Sequence, residues 1–344
     1  MVAIALTIWF LLLLIQQSCA ATSQHAARAA GVVPAPGCTE AAVERLYSDF
    51  PYPPRDPNLE IEGVVSLRTH EDPNLIRSVL FGGRQLPPRF HALIVGGGTG
   101  DATVHLALGL ARVGARHSSI YHVDVSQPSI DIAKERVKKH GRVLRKAKIS
   151  VKFRHGGISN LFNLVGRERR FHYINAVGVL HHLPEPLRGL QILSELLTED
   201  GVMSLAVYGS VARTGVYHLR EMARLVASSR VTSPDIADPN TEIIPSIADA
   251  ESVMKSLPKS SIFAKNTNLH HSVDIAEFGL SGLADMIVNP CDISYSIKDV
   301  AALVAEAGMR IHQPVFPESY EPVKPYPPSV DNLPWLERAS FAEL

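Results

Sequence analysis

Leu93-Ile94-Val95-Gly96-Gly97-Gly98-Thr99-Gly100-Asp101 is a short apolar run that empties into a glycine turn and then opens a helix. Glycines at such a turn let the backbone approach a ligand where a Cβ would collide. The first N–H groups of the helix then face that ligand. Spacing separates the cofactors. A dinucleotide favours G-x-G-x-x-G, whose last glycine lets the helix pack closely beneath a pyrophosphate. Here position 101 is Asp and the pattern is G-x-G-x-G. That suits S-adenosylmethionine, which has no phosphate to seat. Asp124 closes the next apolar run, 24 residues after Gly100, where a carboxylate can bind both ribose hydroxyls. With Ser126 adjoining, its other reading is a helix N-terminal cap. Val125 belongs to the same turn.

A second cluster runs Asn175-Ala176-Val177-Gly178-Val179-Leu180-His181-His182-Leu183-Pro184. His181 and His182 admit a general base, a pair of metal ligands, or a packed lid. Adjacent residues at a strand-to-helix turn do not easily face one metal, and no carboxylate-rich motif accompanies them, so no metal is expected. Tyr208, Arg213, Tyr217, His218 and Arg220 come next. Arg213 and Arg220 lie seven apart and so share a helix face. They are read as a grip for an acceptor's carboxylate or phosphate, or as a solvated face. Between Lys134 and Arg170 thirteen Lys and Arg stand against Glu135 and Glu168. An RNA groove is one reading, but cations suit the end of the 128–139 helix and no aromatics interleave for stacking. Nucleic acid is not the expected partner.

These residues need a scaffold, and the periodicity supplies one. Residues 92–95, 120–125, 149–153, 173–177 and 202–208 read as strands. Helices are expected at 101–113, 128–139, 186–197, 211–228 and 297–307, with a further strand-like stretch at 309–312. Strands alternating with helices imply an α/β fold, a Rossmann-like doubly wound and mostly parallel sheet. Pro51-Tyr52-Pro53-Pro54 ends a short helical pattern, because proline cannot continue a helix, and begins an extended arm. The tail after Pro314 is proline-rich, with Trp335 and Phe341 as docking anchors.

On these motifs the chain resembles class I S-adenosylmethionine-dependent methyltransferases, through Gly96–Gly100, Asp124 and Gly178-Val179-Leu180-His181-His182-Leu183. The sequel Gly201-Val202-Met203 to Tyr208, then Ala212-Arg213, is similar to the bacterial branch often fused to tetratricopeptide repeats. Pro51-Tyr52-Pro53 and Asp285–Tyr295 have counterparts in that branch, so the likeness covers roughly 45–344. The resemblance implies a cofactor set of Gly96, Gly97, Gly98, Gly100, Asp124, Val125, Gly157, Ile158 and Ala176. It gives His181 and His182 a lid role, with catalytic residues unassigned beyond these two candidates, and makes Tyr208, Arg213 and Arg220 the substrate candidates. Three carboxylates that the class commonly carries are replaced here by Ile94, Gly157 and His172. The second would hold the adenine amino group, leaving Ile158 backbone or Ser159 as substitutes.

Composition bounds the rest. With 46% hydrophobic and 20% charged residues and zero net charge, the 344-residue chain is an ordinary globular protein with no global pull toward polyanions. Three cysteines, at 19, 38 and 291, show no C-x-x-C spacing. Neither a disulfide framework nor a structural zinc is expected. Ala3 to Ile15 is an apolar run of signal-peptide length, followed by Ser18-Cys19-Ala20 and an acid-free stretch to Thr39. Residues 1–39 are therefore expected to be a presequence separate from the fold. It would direct the chain to a plastid by the secretory route or to the secretory pathway, with a membrane anchor at 3–15 as the alternative. Then come an arm at 40–84, the cofactor domain at 85–210 and a substrate cap with tail at 211–344. The expected activity is methyl transfer to a small-molecule or peptide acceptor. Its rivals are an aminopropyltransferase-like enzyme and a non-catalytic cofactor-binding scaffold.

Overall fold

The computed structural model describes residues 10–17, 37–59, 72–81, 83, 85–87, 89–230, 244–261, 271–314 and 328–343. Its strands are β1 Phe10–Gln17, β2 His91–Val95, β3 Ser119–Asp124, β4 Ser150–His155, β5 Phe171–Val177, β6 Leu197–Gly209, β7 Ser294–Tyr295 and β8 Met309–Pro314. They join one sheet in the order β4-β3-β2-β5-β6-β1-β8, with β7 pairing β6. Pairing is parallel throughout except around β1, which is antiparallel to both β6 and β8. This is the doubly wound α/β sheet that the alternating pattern demands.

Burial explains why these runs are strands. Leu93 and Val95 of β2 pack into one core with Val123, Ile174, Leu190 and Leu205. Ala92 and Ile94 point the other way, among Leu106, Ala107, Leu110 and Tyr173. A strand covered on both faces must be apolar on both, hence the continuous runs. Helix α1 (Glu40–Asp49) belongs to the arm, and α2 (Pro73–Phe81) follows it. Helix α3 (Asp101–Arg112) leaves β2 and α4 (Gln127–Lys139) leaves β3. Next come α5 (Gly141–Ala147), α6 (Leu161–Val165) and α7 (Pro186–Glu195). Beyond β6, α8 (Val216–Ser228), α9 (Ile247–Ser256) and α10 (His271–Leu283) lead into a π-helical turn at Ala284–Val288. Val216, Leu219, Val253, Met286 and Ile287 give this cap its own small core. Helix α11 (Ile297–Glu306) and the tail helix α12 (Trp335–Glu343) finish the chain. Trp335 packs against the main core, while the Phe341 side chain lies outside the described residues.

Three expectations need correcting. Residues 10–17, which include the end of the apolar run near the N-terminus, are not separate from the fold. They form β1, seated between β6 and β8, with Leu13 and Ile15 fully buried in the core. Eight residues with apolar side chains at nearly every position suit a strand buried on both faces as well as they suit a leader. Cys38 and Cys291 form a disulfide across 253 residues. Spacing cannot reveal it, because the fold alone brings the two together. Finally, α8 starts at Val216, not at 211, since Gly215 has φ 93° and breaks the run. Arg213 therefore precedes the helix that carries Arg220.

Candidate active site

Strand order reverses between β2 and β5, so a crevice opens at the carboxyl ends of these strands, where open α/β sheets bind ligands. The glycine turn lies there. Gly96, Gly98 and Gly100 have φ of 57°, 51° and 100°. Side chains at these positions would be strained as well as crowded: a Cβ on Gly96 would strike Val179, and one on Gly98 the Tyr52 carbonyl. A Cβ on Gly97 would strike the His122 ring. The absent side chains thus make room for protein neighbours around the loop.

Asp124 ends β3 with its side chain 7% exposed. One carboxylate oxygen accepts the Gly98 N–H at 2.7 Å and the other accepts the Ser126 N–H at 2.7 Å. The helix cap is Ser126, whose hydroxyl accepts the Ser129 N–H. Asp124 is accordingly not the α4 cap; it ties the glycine turn to the β3 turn. Burial pushes its carboxyl above the usual range, with the Ser126 and Gly98 amides opposing that shift. Val125 stands beside it, its carbonyl accepting from His155 Nε2 at 2.8 Å. Gly157 and Ile158 lie at the end of β4, and Ala176 is fully buried near the end of β5. The nine residues of the expected cofactor set therefore converge on one edge.

Asp101, the residue that breaks the dinucleotide pattern, has a structural reason. Arg55 of the arm meets it with Nε at 3.1 Å and Nη2 at 2.7 Å, and Arg136 of α4 meets it at 2.5 Å. Arg136 is 1% exposed and also donates to the Thr99 carbonyl. The other cations of the basic run are partly accounted for by stacking. Lys152, Arg154 and Arg169 lie 4.9, 5.8 and 4.8 Å from the centre of the Tyr121 ring.

The arm roofs the crevice. Ser126 Oγ donates to the Tyr47 carbonyl at 2.8 Å, and Thr99 Oγ1 donates to the Pro53 carbonyl at 2.6 Å. Glu44 approaches His155 at 3.5 Å, and Glu40 accepts from Ser159 Oγ at 2.5 Å. Sequence reasoning names the arm but none of these contacts. The one signal pointing to them is the missing side chain at Gly157, which leaves space for Glu40.

At the other side of the crevice stands a buried polar network. His181 and His182 occupy a 3₁₀ turn after β5, with ring centroids 4.0 Å apart, and the His181 ring packs at a tilt against Tyr208 with centroids 3.9 Å apart. Burial lowers the basicity of both, and for His181 the neighbouring His182 and Arg213 add to it. His182 Nδ1 donates to the Cys291 carbonyl at 2.5 Å, and its Nε2 lies 3.7 Å from Asp285. Asp285 accepts from the hydroxyls of Tyr47 at 2.5 Å and Tyr208 at 2.7 Å. Burial and the Asp285 charge raise both phenols well above their usual range, so they donate. Neutral imidazoles beside a doubly hydrogen-bonded carboxylate form a dry wall able to hold a nucleophile or take its proton.

Arg213 and Arg220 do not open onto that wall. Arg213 is fully buried, pairs with Asp292 and donates to the Met286 carbonyl at 3.1 Å. Arg220 donates to the carbonyls of Ile287 and Asn289 at 2.9 and 2.7 Å and lies 3.5 Å from Asp292. Both hold the 286–292 segment in place, so neither expectation, an acceptor grip or a solvated face, describes them. Tyr208 alone of the three substrate candidates lines the wall. His172, where the class often has a carboxylate, accepts the His91 N–H through Nδ1 at 3.0 Å. Among the described residues no group of three or more His, Cys, Asp or Glu could hold a metal ion. Nor is any helix there long and apolar enough to cross a membrane.

Residues 93–203 match a family model described as a methyltransferase domain. An uncharacterized protein of Synechococcus sp. is 26% identical over 278 residues, 80% of this chain and 60% of that protein. The solved structure of PKMT2 from Rickettsia typhi superposes with a TM-score of 0.55 at 16% identity, covering 80% of this chain and 50% of that one. The same protein in complex with AdoHcy gives 0.51 with the same identity and coverage. The chain thus spans about half the length of the structure and 60% of the curated relative that it matches.

Proposed function

Because residues 93–203 match a methyltransferase-domain model and lie in a doubly wound α/β sheet, we propose that the chain is an S-adenosylmethionine-dependent methyltransferase acting on a small-molecule or peptide acceptor. The observation that carries this is the convergence of the Gly96–Gly100 turn, Asp124 and the Gly178–His182 turn on one crevice at the strand switch point. The residues fit the cofactor. Asp124 retains lone pairs for ribose hydroxyls, the glycine turn lets backbone approach, and no phosphate cradle is needed. When bound, the cofactor supplies a methyl group on a sulfonium, an electrophile that demands alignment and exclusion of water more than a strong base. His181, Tyr208 and the arm supply that exclusion, and neutral His182 with Asp285 stands where an acceptor's proton would leave.

Aminopropyl transfer is the second reading, favoured by one finding. Asp285 puts beside the imidazoles the carboxylate that such chemistry uses to hold an amine. The products separate the two: methyl transfer leaves S-adenosylhomocysteine, whereas aminopropyl transfer leaves methylthioadenosine. The first experiment is titration with S-adenosylmethionine, S-adenosylhomocysteine and NAD, followed by a screen of metabolites and peptides for methylated products. Saturable binding of the first two without NAD is expected. Binding of NAD alone would sink the reading, and cofactor binding without turnover on any acceptor would favour the scaffold role.

A compartment outside the cytosol is part of the same proposal, supported by the Cys38–Cys291 disulfide, since disulfides persist in oxidising surroundings. A fluorescent fusion of residues 1–40 checks it, and diffuse cytosolic signal would count against it.

A further inference from the structure

Resting on that reading, the geometry points to Glu40 as the residue that recognises the base of the cofactor. Asp124 stands at the end of β3, and the wall of His181, His182, Tyr208 and Asp285 stands beyond the ends of β5 and β6. A nucleoside anchored by its ribose at Asp124, with its reacting end toward that wall, has its base on the opposite side. In the strand order β4-β3-β2-β5-β6, that side is the end of β4.

The chain there reads Gly156-Gly157-Ile158-Ser159 and offers no charged side chain of its own. Gly157 does not need to be glycine for its backbone: φ −99° and ψ 179° are extended values open to any residue. What requires glycine is Glu40, since a Cβ at 157 would overlap its carboxylate. Glu40 opens α1 behind the Thr39 cap, in a helix tied down two residues earlier by the Cys38–Cys291 disulfide. Ser159 Oγ donates to Oε2 at 2.5 Å, while Oε1 is the oxygen that faces Gly157. Among the described residues no lysine or arginine pairs with this carboxylate. A carboxylate oriented by one hydroxyl, with its second oxygen unpaired, is an acceptor for an exocyclic amino group. It stands where the strand's own turn has no side chain, delivered from 119 residues away. Adenine carries such an amino group and hypoxanthine carries a carbonyl in its place, which the same oxygen repels.

The test is a titration of the full chain with S-adenosylhomocysteine and with its inosine counterpart. Wild type is expected to prefer the adenosine form by about tenfold or more, as for a hydrogen bond to a charged group. Glu40→Ala should bring the ratio close to one. Glu40→Gln, which keeps the shape and can donate its amide to the carbonyl, should shift preference toward the inosine form. In Glu40→Ala carrying Gly157→Asp, the carboxylate returns from the strand side and the preference for adenosine should recover. Melting curves run alongside separate folding from recognition. A wild-type preference that survives Glu40→Ala in a folded chain overturns the assignment, and so does wild type binding both forms equally. If wild type binds neither, the methyltransferase reading itself fails, and this assignment fails with it.

Discussion

The two sides of the crevice are built in different ways. On the glycine side, Gly96–Gly100 and Asp124 lie within 30 residues of one another, and short-range bonds such as Gly98 N–H to Asp124 hold them. On the far side, Asp285 receives Tyr47 from 238 residues away and Tyr208 from 77, and Asp292 receives Arg213 from 79. The first side is a turn whose shape its own residues dictate. The second is a meeting of arm, sheet end and cap that exists only once the whole chain has folded. Stability and chemistry are therefore coupled on the far side and largely separable on the near side.

The largest break in that coupling is expected from removing β1. Leu13 and Ile15 are fully buried, each contributing on the order of 2 kcal/mol, and β1 satisfies the backbone of both β6 and β8. A chain starting after residue 20 is expected to lose cooperative thermal unfolding or to aggregate through the exposed edges. Unchanged melting of that truncated chain would restore the view of residues 1–39 as a detachable presequence.

That strand also shows where legibility ends. Periodicity carries the α/β class, the sheet and most strand positions, because parallel strands buried on both faces leave unbroken apolar runs. The glycine turn, Asp124 and the double histidine are equally visible, since their chemistry depends on adjacent residue types. By contrast, an apolar run such as 10–17 has the same composition whether it leads a chain to a membrane or fills a sheet. Only its partners decide, and those are at 202–208 and 309–314. Arg213 and Arg220 look like ligand grips for the same reason: their partner Asp292 stands far along the chain. Cys38 and Cys291 are mute in spacing for a third instance of it.

The next effect in size is Arg213→Ala. Burial opposes charge on Asp292, and the Arg213 and Arg220 guanidiniums nonetheless hold its carboxyl below the usual range. Removing Arg213 leaves that carboxylate buried with only Arg220 at 3.5 Å and the Tyr217 hydroxyl at 3.0 Å. A loss of about 3 kcal/mol is expected, with affinity for S-adenosylhomocysteine retained in the folded fraction. Denaturant titration and calorimetry together check this. A stable variant with lost turnover would return Arg213 to the acceptor.

Breaking the disulfide comes third. Replacing Cys38 and Cys291 by serine frees a loop of some 250 residues and should cost on the order of 2–4 kcal/mol. The arm carries Glu40, Tyr47 and Tyr52, so cofactor affinity should fall along with stability. If reducing agent leaves both untouched in the wild type, the arm is held by its polar contacts alone.

The smallest effect concerns His122, under the glycine turn. Its Nδ1 lies 2.8 Å from Thr103 Oγ1, and the ring sits against Phe153 and beneath Gly97. Burial chiefly, with the charge of Lys134, lowers its pKa to about 3. The usual value is 6.5, so between the two the unfolded chain takes up a proton that the folded chain refuses. Stability therefore falls as pH drops through that window, by at most about 1.4 kcal/mol per pH unit from this group. His181 and His182 are lowered too and act in the same direction, whereas the raised Asp124 carboxyl acts in the opposite one. His122→Asn keeps a polar partner for Thr103 but cannot be protonated. Its unfolding free energy should decline less steeply than that of wild type between pH 6.5 and 4.5, even if it starts lower. Parallel slopes would mean that water reaches the ring and that the near side of the crevice is less dry than its packing implies.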